Sequence, residues 1–173
     1  DISASGHLFV GSASINATTS SMSDKGKFSV NYGTGPQITG SLTSAGDGYG
    51  EIVQLGGTDT TAGCTYFLNT SGEWEWANAS HVDSGSSQLL GTALGTNSSG
   101  SGMLLKGVVK HFRSDYLTTG NKVYLQDATG LVSGSFPTAT GNFARVIGYA
   151  LSGSNQNDGQ DIIYFNPDNT WIE

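Results

Sequence analysis

The chain repeats itself. The stretch "AGCTYFLNTSG" (62–72) lies over "TGNKVYLQDATG" (119–130) with Gly63 on Gly120, a displacement of 57 residues. The same displacement, without gaps, lays "SQLLGTALG" (87–95) on "ARVIGYALS" (144–152). Leu68 then meets Leu125, Leu90 meets Ile147, Gly91 meets Gly148, Ala93 meets Ala150 and Leu94 meets Leu151. The shared positions are apolar residues and glycines, with no repeated Asp, Glu, His, Cys or Ser in a spacing suited to chemistry. A repeated site keeps its polar groups, whereas a repeated structural unit keeps its apolar alternation and its turn glycines. The repeat is therefore read as duplicated architecture, with Leu68, Leu125, Leu90 and Ile147 in the core and no helix in either copy.

The rest of the pattern gives the type of unit. Apolar residues arrive in short runs divided by Gly, Ser, Asn and Asp, and nowhere recur at helical spacing for three turns. Strands are expected at "HLFVG" (7–11), "KFSVNY" (27–32), "EIVQL" (51–55), "TYFLN" (65–69), "EWEWA" (73–77) and "QLLGTALG" (88–95). They continue at "MLLKGVVKHF" (103–112), "KVYLQD" (122–127), "ARVIGYAL" (144–151), "DIIYFN" (161–166) and "TWIE" (170–173). "NTSG" and "DATG" supply hairpin turns at equivalent places, as does "NDG" before Ile162. Many short strands with regular turns predict an all-β protein, a small β-barrel or sandwich built from two pseudo-repeats.

Composition changes near residue 45. Residues 1–45, with "INATTSSMSDKGK" and "ITGSLTSAG", bury little and are expected to form a shaft-like extended arm or hairpin. Residues 46–173 are expected to form the barrel, with repeats at about 48–112 and 113–166. A length of 173 residues suits one such domain.

Charged residues make up only 12%, yet hydrophobics at 36% and aromatics at 10% are too many for a disordered chain. A polar but uncharged surface of this kind suits an extracellular or virion protein. Seven basic against 14 acidic residues give −7, which argues against a phosphate-binding surface and so against nucleic acid as a partner. The single cysteine, Cys64, sits in an apolar run and reads as a small buried hydrophobe. No apolar run approaches the ~20 residues that cross a bilayer as a helix, and "DISASG" lacks the features of a signal peptide, so no membrane insertion is expected. Asp rather than Met at position 1 points to a processed or excised part of a longer chain.

Catalytic and metal-binding signatures are sparse. His7, His81 and His111 are far apart and form no zinc motif. No serine occupies a G-x-S-x-G elbow, and His81 near Asp83 reads as two turn residues as readily as two members of a triad. "SAGDGYGE" enters a strand instead of a helix, so it is a loop and not a phosphate cradle. "NQNDGQD" is rich in oxygen ligands but lacks calcium-loop spacing, and reads as an Asp-Gly hairpin. Four Asn-x-Ser/Thr sequons begin at Asn16, Asn69, Asn78 and Asn97, a frequency that chance explains in so Ser/Thr-rich a chain. No cofactor and no metal is expected.

One surface signal stands out, "GEWEWA". In a strand Trp74 and Trp76 share one face, with Glu73 and Glu75 on the other. Two coplanar indoles can stack on sugar rings, which makes Trp74 and Trp76 the candidate carbohydrate-binding residues. They can equally be packing or interface anchors, the favoured reading, because the repeat partner of Trp74 is Leu131. Glu73 and Glu75 could be nominated as the carboxylates of a glycan-cleaving enzyme, but adjacent acids on one strand are usually only solvated.

Several blocks, in order, carry a family resemblance: "AGCTYFLNTSGEWEWANA", "LLGTALGTNSSGSGMLLKGVV", "TGNKVYLQDATGLVSGSFPTATGNFARVIGYALS" and "IIYFNPDNTWIE". Over about residues 48–173 the chain resembles the C-terminal region of virion structural proteins and tail fibres of tailed phages, especially those of marine and cyanobacterial hosts. The opening "DISASGHLFVGSASINA" is similar to segments that join such regions to a fibre shaft. The resemblance is one of folding motifs and carries over no catalytic or receptor-contact residue. It implies a non-enzymatic bacteriophage structural protein located on the virion, either a tail fibre or other fibre C-terminal domain, acting in assembly or host attachment. The expected partners are other virion proteins, further copies of the chain in a homotrimer, and a host surface glycan. The alternatives are a capsid decoration protein or a carbohydrate-binding module.

Overall fold

Among the described residues the apolar alternation resolves into eleven short strands. In chain order they are β1 (Gly48–Val53), β2 (Thr65–Leu68), β3 (Trp74–Trp76), β4 (Leu90–Ala93), β5 (Met103–Lys110) and β6 (Ser114–Asp115). They continue as β7 (Lys122–Leu125), β8 (Val132–Ser133), β9 (Ala144–Ala150), β10 (Ile162–Phe165) and β11 (Trp171–Ile172). The computed structural model describes residues 42–112, 114–153, 161–168 and 171–172, all within a unit spanning Ile38–Glu173. The expected strands "HLFVG" and "KFSVNY", nearly all of the expected arm over 1–45, and most of "NQNDGQD" lie outside the described residues.

The chain is all-β, and the duplication is visible in the strand order. Nine strands run β3-β2-β4-β5-β10-β9-β7-β8-β6, curled into a half-barrel, with β1 paired to β5 and β11 to β9 off this path. Read outward from the β5–β10 seam, β4, β2 and β3 on one side mirror β9, β7 and β8 on the other. Each mirrored pair is also a pair under the 57-residue displacement. The halves differ in their first strands. β1 lies along β5, whereas β6 makes a parallel pair with β8 in an otherwise antiparallel sheet.

The main core fills the concave side: Phe67, Leu90, Leu104, Val109, Val123, Leu125, Ile147, Ile163 and Phe165 are each at most 3% exposed. Three of the four residues expected in the core are there. Leu68 is the exception, half-buried on the other face against Trp74. The cause is a β-bulge. Val123 pairs with Gly148 and Tyr124 with Val146, so Ile147 is an extra residue in β9. In the first half Tyr66 pairs with Gly91 and Phe67 with Leu90 without interruption. The resulting one-residue slip turns β7 over relative to β2, so Phe67 faces the core in one half while Val123 and Leu125 do so in the other.

A second correction concerns helix. Residues Asp83–Ser87 form a single π-helical turn inside the first copy, where none was expected. Arg145 explains it. This buried side chain donates from Nη1 to the carbonyls of Ser84 (3.0 Å) and Gln88 (2.9 Å) and from Nε to that of Asp168 (3.1 Å). Carbonyls left over by the turn are thereby satisfied by a cation.

The curl depends on a row of glycines. Gly50 pairs with Gly107, Gly107 with Phe165, Phe165 with Gly148, and Gly148 with Val123. The φ angles of Gly50, Gly107 and Gly148 are +154°, +148° and +156°. A Cβ on each would run into a carbonyl of the neighbouring strand, that of Lys106, Tyr49 or Tyr164. Strands can bend sharply where glycines stand in register, and Phe165, fully buried, fills the space between Gly107 and Gly148.

Candidate functional site

The two tryptophans occupy different environments. Trp74 is 2% exposed in a second apolar cluster on the outer face, with Cys64, Tyr66, Ala93 and Met103. Residues 55–61 cover this cluster: Trp74 Nε1 donates to the Leu55 carbonyl (3.0 Å), its backbone N–H to Thr58 Oγ1 (3.1 Å), and Thr61 N–H to the Tyr66 hydroxyl (2.8 Å). Trp74 therefore has no open ring face to offer a sugar. Trp76 is 42% exposed but stacks on Tyr66, with ring centroids 4.5 Å apart, and lies so close to Gly130 that a Cβ there would strike its ring. The structure does not bring the two indoles together as an exposed pair. Glu73 and Glu75 are exposed, and Glu75 accepts from Asn69 Nδ2.

The repeated turns carry this difference. In "NTSG" Gly72 (φ +82°) has open space around it, while in "DATG" Gly130 (φ +67°) is buried against β2 and β3. Thr65 N–H donates to the Gly130 carbonyl (3.1 Å) and Gly130 N–H to that of Ala77 (2.8 Å). The second copy's turn is thus a clasp on the first copy, and Trp76 packs over it.

Polar residues that could suggest catalysis are drawn into buried junctions that sequence spacing did not reveal. Thr65 Oγ1 and His111 Nε2 are 3.1 Å apart, both fully buried. His111 N–H donates to the Asp161 carbonyl (2.9 Å), and Ser114 Oγ donates to the Asp161 carboxylate (2.7 Å). Ser, His and Asp meet here, with the serine hydroxyl donating to the carboxylate, and none of the three is more than 3% exposed. The geometry is that of a strut joining β2, β6 and the start of β10. His81 is exposed, with Nδ1 3.9 Å from Asp83 Oδ2, and stacks on Phe67. Among the described residues, no three His, Cys, Asp or Glu side chains gather as a metal site. No helix among them is long and apolar enough to cross a membrane.

The sequons prove to have a structural use. Asn69 Oδ1 accepts from the N–H groups of Ser71 and Glu73, Asn78 Oδ1 from Ser80, and Asn97 Oδ1 from Ser99 and Gly100. Each closes a turn on its own backbone two residues ahead, a device that favours Asn followed by small polar residues. Asn16 lies outside the described residues.

Another part of the outer face carries tyrosines. Tyr49 pairs with Val108, Val108 with Tyr164, Tyr164 with Tyr149, and Tyr149 with Lys122, a row across five strands. Directly opposed residues share a face, so the row lies on the convex side, next to the glycine row. Tyr49 is 47% and Tyr149 44% exposed, whereas Tyr164 is half-buried and Val108, between Tyr49 and Tyr164, is buried. Beside the row are two cavities with Asn166 and Pro167 in common, one of about 430 Å³ bounded also by Glu51 and Lys106, the other of about 380 Å³ bounded by Val146, Tyr149 and Asp168. Searches of protein-family models, curated proteins and solved structures find nothing that matches this chain.

Proposed function

We propose that this chain is a non-enzymatic structural domain of a tailed-phage virion, from a tail fibre or another fibre-like assembly, acting in particle assembly or host attachment. One contrast carries the reading. His111, Ser114, Asp161 and Arg145, polar side chains able to do chemistry, are buried as struts, while the convex face carries exposed Tyr49 and Tyr149. A framework stiffened within and open on one face suits a surface that binds and does not turn over. The order of sequence blocks that resembles fibre C-terminal regions supports the same reading.

Such domains act in multiple copies, and a threefold arrangement of this chain is part of the proposal. A cyclic arrangement pairs each exposed strand edge with the next subunit and removes an aggregation hazard. Light scattering at micromolar concentration is expected to give a mass near three times the 17.9 kDa chain, and a stable monomer contradicts the trimer. The virion location is tested with antibodies raised against the half-barrel. Gold labelling of intact particles by electron microscopy supports it, and unlabelled particles from a preparation whose lysate contains the chain refute it.

A further inference from the structure

We infer that the Tyr49–Tyr164–Tyr149 row and the two cavities walled by Asn166 bind a neutral polysaccharide. Two parts of the outer face make the case. In the first, the outer face carries Tyr66 and Trp74, and residues 55–61 lie over them, using the Leu55 carbonyl and the Thr58 and Thr61 groups to satisfy their polar atoms. Farther along the outer face, where β1, β5, β10 and β9 lie side by side, the aromatic residues are tyrosines, which carry their own hydroxyl at the wet end; Tyr49 and Tyr149 are exposed, Tyr164 is half-buried, and Val108 is buried between Tyr49 and Tyr164. A flat phenol suits the C–H face of a pyranose, and with only two side-chain torsions it loses little entropy on contact. The tyrosines stand on paired strands and not on loops, so they are held in place before any ligand arrives.

Three further features choose the ligand class. From Tyr49 to Tyr149 the row crosses four strands, about 14 Å at the usual strand spacing, which is long enough for more than one sugar ring. The neighbouring cavities, about 430 and 380 Å³, are of ligand size and share a wall, so a chain can continue from one to the other. Their polar groups include an amide, Asn166, that both donates and accepts, as sugar hydroxyls require. The charges lining the cavities offset, Glu51 and Asp168 against Lys106 and Arg145, the Arg145 guanidinium is already engaged by the Ser84, Gln88 and Asp168 carbonyls, and the chain carries −7, which together disfavour a polyanion. The inference deepens the attachment branch of the proposed function but does not require a virion. Gold labelling reports location and sugar titration reports ligand, so each can fail alone.

The test is calorimetric titration of the full chain with a panel of neutral hexasaccharides of glucose, mannose and galactose. Saturable binding of at least one is expected, weakened about tenfold, equivalent to about 1.4 kcal/mol, by Tyr149→Ala or Tyr164→Ala. Tyr149→Phe is expected to keep most of the affinity, since the ring face does the stacking. Asn166→Ala, at an exposed position, checks the cavity wall without disturbing the core and is expected to weaken binding as well. The inference is overturned if no hexasaccharide binds saturably, or if binding survives both alanine variants unchanged. It is also overturned if Tyr149→Ala abolishes only self-association, which would make the row a protein interface.

Discussion

Gly107→Ala isolates the feature that shapes the sheet. At φ +148° an L-residue is strained, which costs on the order of 1 to 3 kcal/mol. The new methyl would also run into the Tyr49 carbonyl and the Gly50 Cα on β1, backbone atoms that can yield only if the β1–β5 pair opens. Overpacking of that kind adds about 1 to 3 kcal/mol. Together these give about 2 to 6 kcal/mol against a total stability of roughly 5 to 15 kcal/mol for a domain of ordinary stability. Gly72→Ala is the matched control. Its φ of +82° is also unfavourable, but nothing lies within 4 Å of the added atom, so only about 1 to 2 kcal/mol is expected. Urea unfolding followed by circular dichroism measures both, with a melting shift of roughly 2 to 4 °C per kcal/mol as a second readout. Equal losses for the two variants would refute the reasoning, because the in-register glycines would then have no role beyond ordinary turn glycines.

Other expectations follow from burial and titration. Leu90→Ala or Ile147→Ala should each cost about 2 to 5 kcal/mol in chemical denaturation, through lost transfer and cavity terms. Trp74→Ala should cost about 3 to 5 kcal/mol and Trp76→Ala clearly less in the same assay, since only the first is enclosed. Asp127 is held below its ordinary range by the side chains of Asn142 and then Ser80, and Asp47 by the backbone N–H groups of Ser44 and Thr43. A depressed carboxyl stabilises the fold above its unfolded value and loses that contribution as pH falls through the folded one. Acid titration of stability should therefore be shallower in Asp127→Asn below pH ~4. Burial raises the Tyr66 phenol, so its contribution is complete below the unfolded value of about 10 and is lost as pH climbs past it. Tyr66→Phe should flatten the alkaline limb of the same titration.

Much of the architecture could be read from short runs of residues. β2, β4, β5, β7, β9 and β10 combine apolar alternation with turn glycines, and the 57-residue displacement connects four pairs of strands about the β5–β10 seam. β6 and β8 could not be read this way. They are two residues long, and β6, Ser114–Asp115, is buried through a hydroxyl bonded to Asp161, a partner 47 positions away. Periodicity carries no trace of such a bond. The inversion of β7 against β2 depends on one extra residue, Ile147, which an ungapped overlay accommodates unnoticed. The π-helical turn owes its shape to Arg145, 57 positions beyond Gln88, and so to tertiary contact and not to local preference. The tyrosine row is likewise a product of register. Tyr49, Tyr149 and Tyr164 sit in unrelated runs, and only the pairing of β1, β5, β10 and β9 sets them in one row, with Val108 between Tyr49 and Tyr164. Trp74 and Trp76 drew attention first because they are adjacent in sequence, yet the cover over Trp74 and the clasp beside Trp76 come from residues 55–61 and Gly130.

The proposed virion role is tested most directly by a density map of intact phage particles from a host culture in which this chain is expressed. Threefold-related half-barrels on the particle exterior, with Tyr49 and Tyr149 turned toward solvent, are expected. Particles without the chain, or half-barrels seated with that row against another virion protein, would contradict it.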